Sequence, residues 1–170
     1  MPGSSCQGKE DAKEFIEARP DIKTILDIGP GSCTWPNLLG DKFTWYGIEI
    51  WKPYEERFKH KDHYRKVYYE DACKFDYDLL NDKNIDCVIA SSVYEHFDRE
   101  LAGKVLQEWN KRYRHIILIV PLSDDFKYES KIHYNNPFEG HKSYWKHQEL
   151  KDALDWVKVA ESKHIGIYMK

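Results

Sequence analysis

The sequence lacks long apolar runs and lacks closely spaced cysteines. Its apolar runs are strand-sized, so no segment is expected to cross a membrane. Residues 1–9 have no apolar core of the kind that a signal peptide needs. The cysteines lie far apart and form no C-x-x-C pair: Cys6, Cys33, Cys73 and Cys87. This distribution argues against a disulfide framework and predicts reduced thiols in a cytoplasmic protein.

Charge of one sign is also scarce. The 170 residues include 26 basic and 29 acidic side chains, with a formal net charge of -3, and the two signs are interleaved. Nucleic-acid binding through a basic surface is therefore not expected. Residues 57–66 are locally basic, but solvated helix surface is the simpler interpretation. The length fits a single domain over residues 1–170, with residues 1–8 expected to be disordered.

The most informative stretch runs from Thr24 to Trp35. A β-branched run ends in two glycines, Gly29 and Gly31, and another apolar stretch follows. This pattern predicts a strand, a tight turn and the start of a helix. Glycines at such a turn allow positive φ angles and let a ligand lie against the backbone. Further along, Glu49 lies in a second strand-like run, where its carboxylate can accept hydrogen bonds from both hydroxyls of a ribose.

The rest of the chain alternates between strand and helix patterns. Strands are predicted at 22–28, 43–50, 64–69, 85–90, 116–120, 156–160 and 165–169. Helices are predicted at 9–18, 34–39, 52–60, 98–114 and 147–154, with a brief helical turn at 75–80. Crossover helices between strands favour a parallel sheet that is covered on both faces. We therefore predict an α/β fold with a doubly wound, mostly parallel sheet of about seven strands and an antiparallel C-terminal hairpin strand.

The glycine spacing argues against a dinucleotide as the ligand of the turn. The fingerprint G-x-G-x-x-G would require glycine at position 34, where this chain has Thr34. Pro30 also removes a backbone donor from a turn that would otherwise bind a pyrophosphate. The sequence contains no G-x-x-x-x-G-K-[ST] either, which excludes the common loop for nucleoside triphosphates.

A nucleoside that carries a cation fits the turn better. Asp27 places a carboxylate directly before the glycines, where it would attract the sulfonium or the amino group of S-adenosylmethionine. At four successive strand ends the sequence resembles the class I S-adenosylmethionine-dependent methyltransferases. The matching segments are residues 26–31, residues 46–49, the pair Asp71-Ala72, and residues 86–96, which end in Glu-His. The resemblance covers residues 22–121.

This resemblance implies a Rossmann-like fold with S-adenosylmethionine as the cofactor. The residues that it assigns to the cofactor are Asp27, Gly29, Gly31, Glu49, Asp71, Ala72 and Ser91. The sequence departs from the family pattern at Cys33, where a third glycine is usual, and a side chain there would narrow the loop. Structural alternatives stay open: the glycines as a plain turn, Asp27 as a helix cap, Glu49 as the partner of Lys52, and Asp71 as a turn residue.

The segment at 122–146 is predicted to be an insertion on the substrate side of the domain. It follows the fifth strand, so it is expected to meet residues 91–96 at the carboxyl ends of the fourth and fifth strands. Its imidazoles, which include His133 and His141, titrate near neutral pH. Residues 136–145 read Asn-Pro-Phe-Glu-x-His-x-x-x-Trp, which resembles the acceptor-side segment of some small-molecule methyltransferases.

These residues give a catalytic hypothesis. We predict His141 or His133 as the general base, with Glu95 as a further catalytic group and with Tyr94 and Trp145 shaping the pocket. Glu95 also has a structural alternative, because its segment leads into the predicted helix at 98–114. No metal is predicted, since the histidines have no compact spacing and no cysteine lies near them.

The predicted function is methyl transfer from S-adenosylmethionine to a small-molecule acceptor. Residues 90–93 read Ala-Ser-Ser-Val, unlike the Asn/Asp-Pro-Pro-Tyr/Phe string of adenine and glutamine methyltransferases. No Pro-Cys pair supplies the nucleophile of a cytosine methyltransferase. Two alternatives stay open, namely a non-catalytic scaffold that binds the cofactor and an enzyme that cleaves it. No membrane partner is expected, and the sequence does not indicate an oligomeric state.

Overall fold

The computed structural model describes residues 8–122, 135–162 and 164–170. The strands are β1 (Thr24–Ile28), β2 (Thr44–Ile48), β3 (Lys66–Tyr68), β4 (Cys87–Ser91), β5 (His115–Pro121), β6 (Lys158–Ser162) and β7 (Ile165–Met169). The α-helices are α1 (Lys9–Glu17), α2 (Thr34–Leu39), α3 (Tyr54–Phe58), α4 (Arg99–Arg112) and α5 (His147–Lys151). Short 3-10 helices lie at His60–Asp62, Tyr77–Lys83 and Tyr94–His96.

All seven strands form one sheet in the order β3-β2-β1-β4-β5-β7-β6. The pairs among the first five strands are parallel, whereas β7 pairs antiparallel with both β5 and β6. The predicted doubly wound, mostly parallel α/β sheet with an antiparallel hairpin strand is therefore confirmed. Ile28 pairs with Ile48 on one side and with Ala90 on the other. The carboxyl ends of β1, β2 and β4 thus meet at one edge of the sheet.

Apolar side chains cover both faces of the sheet. One layer contains Ile16 of α1 and Trp35 of α2, which pack on β1 and its neighbours. The other layer contains Val105 and Trp109 of α4, and Trp109 is completely buried. Strands β1, β2, β4 and β5 are buried on both faces, which explains their nearly continuous apolar sequences, whereas the edge strand β3 begins at the exposed Lys66.

Several boundaries differ from the sequence prediction. The brief helical turn predicted at 75–80, in the crossover from β3 to β4, is present as a 3-10 helix at Tyr77–Lys83. Helix α3 ends earlier than predicted because Lys59 adopts a left-handed conformation with φ of 51°. Strand β6 extends to Ser162, so the hairpin loop is shorter than the four residues predicted.

Helix α4 reaches the functional edge of the sheet through its first turn. The buried stripe of this helix consists of Ala102, Val105, Leu106 and Trp109. Leu101, in the first turn of the helix, lines a cavity at the sheet edge. Asp98 occupies the N-cap position but makes no side-chain capping bond, and its carboxylate lies 3.8 Å from Lys142 Nζ.

Among the helices of the described residues, none combines the length and apolar character that crossing a membrane requires.

Candidate functional site

A cavity of about 460 Å³ opens at the carboxyl ends of the parallel strands. Its position follows from the sheet topology, because the strand order reverses on the two sides of β1 and the loops there diverge. The predicted site residues that line it are Gly29 and Gly31 after β1, Glu49 after β2, Asp71 and Ala72 after β3, Ser91 and Glu95 near the end of β4, and His141 from the late loop, residues 135–146. The sheet edge therefore brings together residues that are distant in the sequence.

The turn after β1 leaves no room for a side chain at its first glycine. Gly29 has φ of 70°, and a Cβ atom there would lie 2.2 Å from Val93 Cγ2. Gly31 also has a positive φ, of 47°, and its carbonyl oxygen accepts a hydrogen bond of 2.8 Å from His60 Nε2. Because a carbonyl only accepts, Nε2 carries the proton, and His60 Nδ1 is then free to accept from the Tyr69 hydroxyl at 3.0 Å. The buried imidazole of His60 thus holds the Gly31 carbonyl, and with it the turn, in place.

Cys33 does not narrow the cavity. Its backbone adopts the left-handed conformation, with φ of 58° and ψ of 37°, that a third glycine would adopt easily. The side chain is buried in the apolar layer, where Sγ lies 3.4 Å from the Phe58 carbonyl oxygen. The loop therefore keeps the backbone shape that glycine would give it.

Glu49 is a buried carboxylate that accepts two backbone hydrogen bonds. Its Oε2 accepts from Gly31 N at 3.1 Å and its Oε1 accepts from Trp51 N at 2.9 Å. These bonds link the turn after β1 to the turn after β2 and hold the carboxylate at the cavity wall. Burial raises the pKa of Glu49 to about 7, although the backbone hydrogen bonds oppose this shift. Each oxygen retains a second lone pair that can accept from a ligand.

Asp27 does not line the cavity. Its side chain is buried in β1, where Oδ2 accepts a hydrogen bond of 2.6 Å from the Tyr64 hydroxyl. Burial raises the pKa of Asp27 to about 7. The sequence indicates a carboxylate near the glycine turn, but the structure places it beneath the residues that line the cavity. Any effect of Asp27 on a ligand is therefore electrostatic and involves no direct contact.

The opposite wall is formed by the ends of β3 and β4. Asp71 Oδ1 accepts a hydrogen bond of 2.9 Å from Cys73 N, which shapes the turn that presents Ala72. Ser91 follows four buried apolar residues of β4, and its hydroxyl oxygen is buried without a hydrogen-bond partner in the described part of the chain. A buried hydroxyl without a partner is unusual in a folded protein, which makes Ser91 a candidate contact for a ligand in this cavity.

Glu95, His96 and His141 form a cluster at a second part of the cavity. Their donor atoms all lie within 4.8 Å of one another, and the rings of His96 and His141 contact edge to face with centroids 5.1 Å apart. Burial raises the pKa of Glu95 to about 8. Burial lowers the pKa of both His96 and His141, and in His141 the neighbouring His96 adds to the effect. The other predicted base, His133, lies outside the described residues.

Sequence reasoning missed the residues that cover the cavity. Glu139 Oε1 accepts hydrogen bonds from the Tyr54 hydroxyl at 2.9 Å and from Asn136 Nδ2 at 3.2 Å. The Phe138 ring contacts the Trp51 ring, with centroids 6.0 Å apart. These contacts join the late loop to the segment after β2. The Asn-Pro-Phe-Glu string drew attention to this loop in the sequence. The sequence does not show, however, that Glu139 would bond to Tyr54 of α3.

The late loop is also attached to the segment after β4. The backbone N–H groups of Lys142 and Ser143 both donate to the Glu95 carbonyl, at 2.9 and 3.0 Å. Tyr94 and Trp145, predicted to shape the pocket, do not line it. They are buried behind it, with ring centroids 4.9 Å apart, and support this attachment by packing.

Part of the sequence matches the model of a known protein family. A family model described as a methyltransferase domain matches residues 26–115. No curated protein matches the sequence. The matched residues span β1 to the beginning of β5 and include the glycine turn, Glu49, Asp71 and the Glu95-His96 pair.

Solved structures of low sequence identity share the fold. The N-terminal domain of EvdMO1 with SAH bound is 16% identical, with a TM-score of 0.67, and the match covers 98% of this chain and 80% of that one. The small RNA methyltransferase HEN1 is 16% identical, with a TM-score of 0.70, over 94% of this chain and 24% of that one. Magnesium protoporphyrin IX methyltransferase from Synechocystis, with bound SAM, is 13% identical, with a TM-score of 0.65, over 94% of this chain and 76% of that one.

Proposed function

We propose that this chain, which belongs to the methyltransferase-domain family and uses S-adenosylmethionine, methylates a small-molecule acceptor. The observation that carries the proposal is the division of one cavity into two chemically different parts. One part has the glycine turn and Glu49, and the other has Glu95, His96 and His141. A cofactor and an acceptor need such adjacent sites, since direct transfer requires the two reactants to be held in contact.

The first part of the cavity fits the cofactor. At Gly29 a Cβ atom would meet Val93, so the backbone itself forms the surface there. Glu49 offers carboxylate lone pairs to a ribose diol, and Ser91 offers a buried hydroxyl that lacks a partner among the described residues. S-adenosylmethionine, when bound, supplies a methyl group already activated by the attached sulfonium. We propose Gly29, Gly31, Glu49, Asp71, Ala72 and Ser91 as its contacts, with Asp27 acting through its charge.

The second part of the cavity favours a small acceptor. The loop that carries Glu139 and His141 is bonded to both Tyr54 and the Glu95 carbonyl, so it covers the cavity from two sides. The volume of about 460 Å³ is typical of pockets for small ligands. The net charge of -3 gives no support to a nucleic-acid acceptor. We propose that Glu95, His96 and His141 bind the acceptor and assist the loss of its proton.

The proposal is tested by turnover against a panel of acceptors. S-adenosylmethionine carrying a labelled methyl group is incubated with small alcohols, phenols, amines and carboxylic acids, and in parallel with short RNAs and peptides. We expect mass spectrometry to find the label in a member of the small-molecule set. Label in RNA or peptide alone would contradict the proposed acceptor class. Cofactor consumption without any methylated acceptor would indicate cleavage, and binding without consumption would indicate a scaffold.

Glu49→Ala is expected to weaken the binding of S-adenosylhomocysteine by about 1–3 kcal/mol, measured by isothermal titration calorimetry. The substitution removes the charge-assisted hydrogen bonds that a ribose diol would donate to the carboxylate. It also frees the Gly31 N–H, which now bonds to Oε2. Glu56→Ala is the matched control, because Glu56 is exposed and does not line the cavity. Equal affinities for the two variants would refute the ribose assignment.

A further inference from the structure

We propose that Glu95, His96 and His141 bind a divalent transition-metal ion at the acceptor end of the cavity. The three side chains come from two separate segments, the 3-10 helix after β4 and the late loop. Their donor atoms lie within 4.8 Å of one another. Two imidazole nitrogens and one carboxylate form a donor set that first-row divalent metals prefer, with coordination positions left open for other ligands.

His96 is held in the tautomer that a metal ligand needs. Its Nδ1 lies 3.2 Å from the Gly140 carbonyl oxygen, which can only accept a hydrogen bond. Nδ1 therefore carries the proton, and the neutral ring presents the lone pair of Nε2. That atom faces Glu95 Oε1 at 3.9 Å, which is too long for a hydrogen bond but suits two ligands of one ion. A backbone carbonyl that orients the distal nitrogen is a common feature of metal-binding histidines.

The buried side chain of Glu95 also points to a cation, independently of the positions of the histidines. The residue is only 3% exposed, it lines the cavity, and its Oε2 has no hydrogen-bond partner among the described residues. A buried carboxylate without a partner is costly, and a cation beside it removes that cost. The Glu139 carboxylate adds a second negative charge that acts on Glu95. Ligand bonds of roughly 2.1 Å place two donors about 3.0–3.4 Å apart, so donors that lie up to 4.8 Å apart would need to approach by up to about 1.8 Å through side-chain rotation.

The role of the ion rests on the proposed function, because that function places the acceptor beside these residues. A divalent cation lowers the pKa of a hydroxyl group that it binds. The acceptor proton would then pass to solvent, and His141 would act as a ligand in place of the general base predicted from the sequence. The compact spacing that normally marks a metal site is missing because helix α4 and strand β5 lie between His96 and His141 in the sequence.

Metal binding can be tested without any acceptor. Protein without a histidine tag is stripped with a chelator and titrated with Co²⁺, and binding is followed by visible absorption and calorimetry. We expect one saturable site per chain, with affinity at least about tenfold weaker in Glu95→Gln and in His141→Ala. Glu95→Gln preserves the shape of the side chain, and unchanged circular dichroism would exclude unfolding as the cause. His164→Ala is the control, because His164 is exposed and does not line the cavity.

The outcomes separate this inference from the proposed function. Saturable binding that depends on Glu95 and His141 supports the metal site, whether or not an acceptor is methylated. Absent binding, or equal binding by wild type, Glu95→Gln and His141→Ala, overturns it and identifies surface histidines as the source of any Co²⁺ signal. Methyl transfer at an undiminished rate in the chelated protein would overturn the role given to the ion in the reaction, while leaving the proposed function intact.

Discussion

Gly29→Ala is expected to lower the free energy of unfolding by about 2–5 kcal/mol. Gly29 has φ of 70°, and the left-handed backbone costs an L-residue roughly 1–2 kcal/mol. The new Cβ would also lie 2.2 Å from Val93 Cγ2, and overpacking of this kind costs about 1–3 kcal/mol. The methyl groups of Val93 cannot easily rotate away from the new Cβ atom, because a branched side chain has few rotamers. Urea-induced unfolding followed by circular dichroism measures the loss.

Two further variants separate backbone strain from the clash. Gly40 has φ of 73°, but a Cβ atom there would have nothing within 4 Å, so Gly40→Ala reports strain alone. The double variant Gly29→Ala/Val93→Ala keeps the strain and removes the clashing methyl groups. We expect the double variant to bind S-adenosylhomocysteine better than Gly29→Ala, because Gly29 and Val93 both line the cavity. A Gly29→Ala protein as stable as the wild type would show that the turn tolerates a side chain.

In the cofactor-free protein, Asp27→Asn is expected to be more stabilising at pH 8 than at pH 4.5. The change that it causes in the free energy of unfolding should differ between the two pH values by an amount on the order of a few kcal/mol. Burial raises the pKa of Asp27 to about 7 from an ordinary value of 3.8. The folded state therefore holds the proton more tightly than the unfolded state. The stability that Asp27 contributes is present below pH 4 and is lost as the pH rises to 7. Asparagine stays neutral, so the advantage of the variant grows over that interval and is constant above it.

The pH difference isolates the charge from the other effects of the substitution. An amide group still accepts the hydrogen bond from the Tyr64 hydroxyl, and any cost of its extra NH₂ group is equal at both pH values. Asp21→Asn is the control, because hydrogen bonds from His115 and Arg114 lower the pKa of Asp21 to about 2, so this carboxylate is largely ionised at both pH values and its removal should have nearly the same effect at each. Urea-induced unfolding at both pH values measures each variant. A pH-independent effect of Asp27→Asn would contradict the burial of an ionisable group at this position.

The fold could be predicted because its signals are local. Strands β1, β2 and β4 are largely apolar runs that end at or just before a glycine or polar residue, and crossover connections determine the direction of the next strand. The same logic predicts that Gly29, Glu49 and Asp71 lie close together, since the carboxyl ends of parallel strands meet at one edge. All three line the cavity. This part of the site follows from strand order alone.

The remaining part of the site depends on contacts between distant segments. The Tyr54–Glu139 hydrogen bond joins residues 85 positions apart, and the bond from His96 to the Gly140 carbonyl spans 44 positions. No periodicity or spacing encodes such pairs, because they depend on the path of a loop with little regular structure. Asp27 shows a different limit. Its position at a strand end is visible in the sequence, but the Tyr64 hydroxyl that holds it below the surface is not.

The position of β7 has a consequence for how the protein is made. Although β7 is last in chain order, it lies between β5 and β6, with Met169 opposite Ile117. While the ribosome is still synthesising the segment after β5, the backbone edge of that apolar strand has no neighbour. Such an edge is prone to pair with another chain. A translation product interrupted before residue 165 would therefore be expected to aggregate, even though it contains every proposed ligand of the cofactor and of the metal.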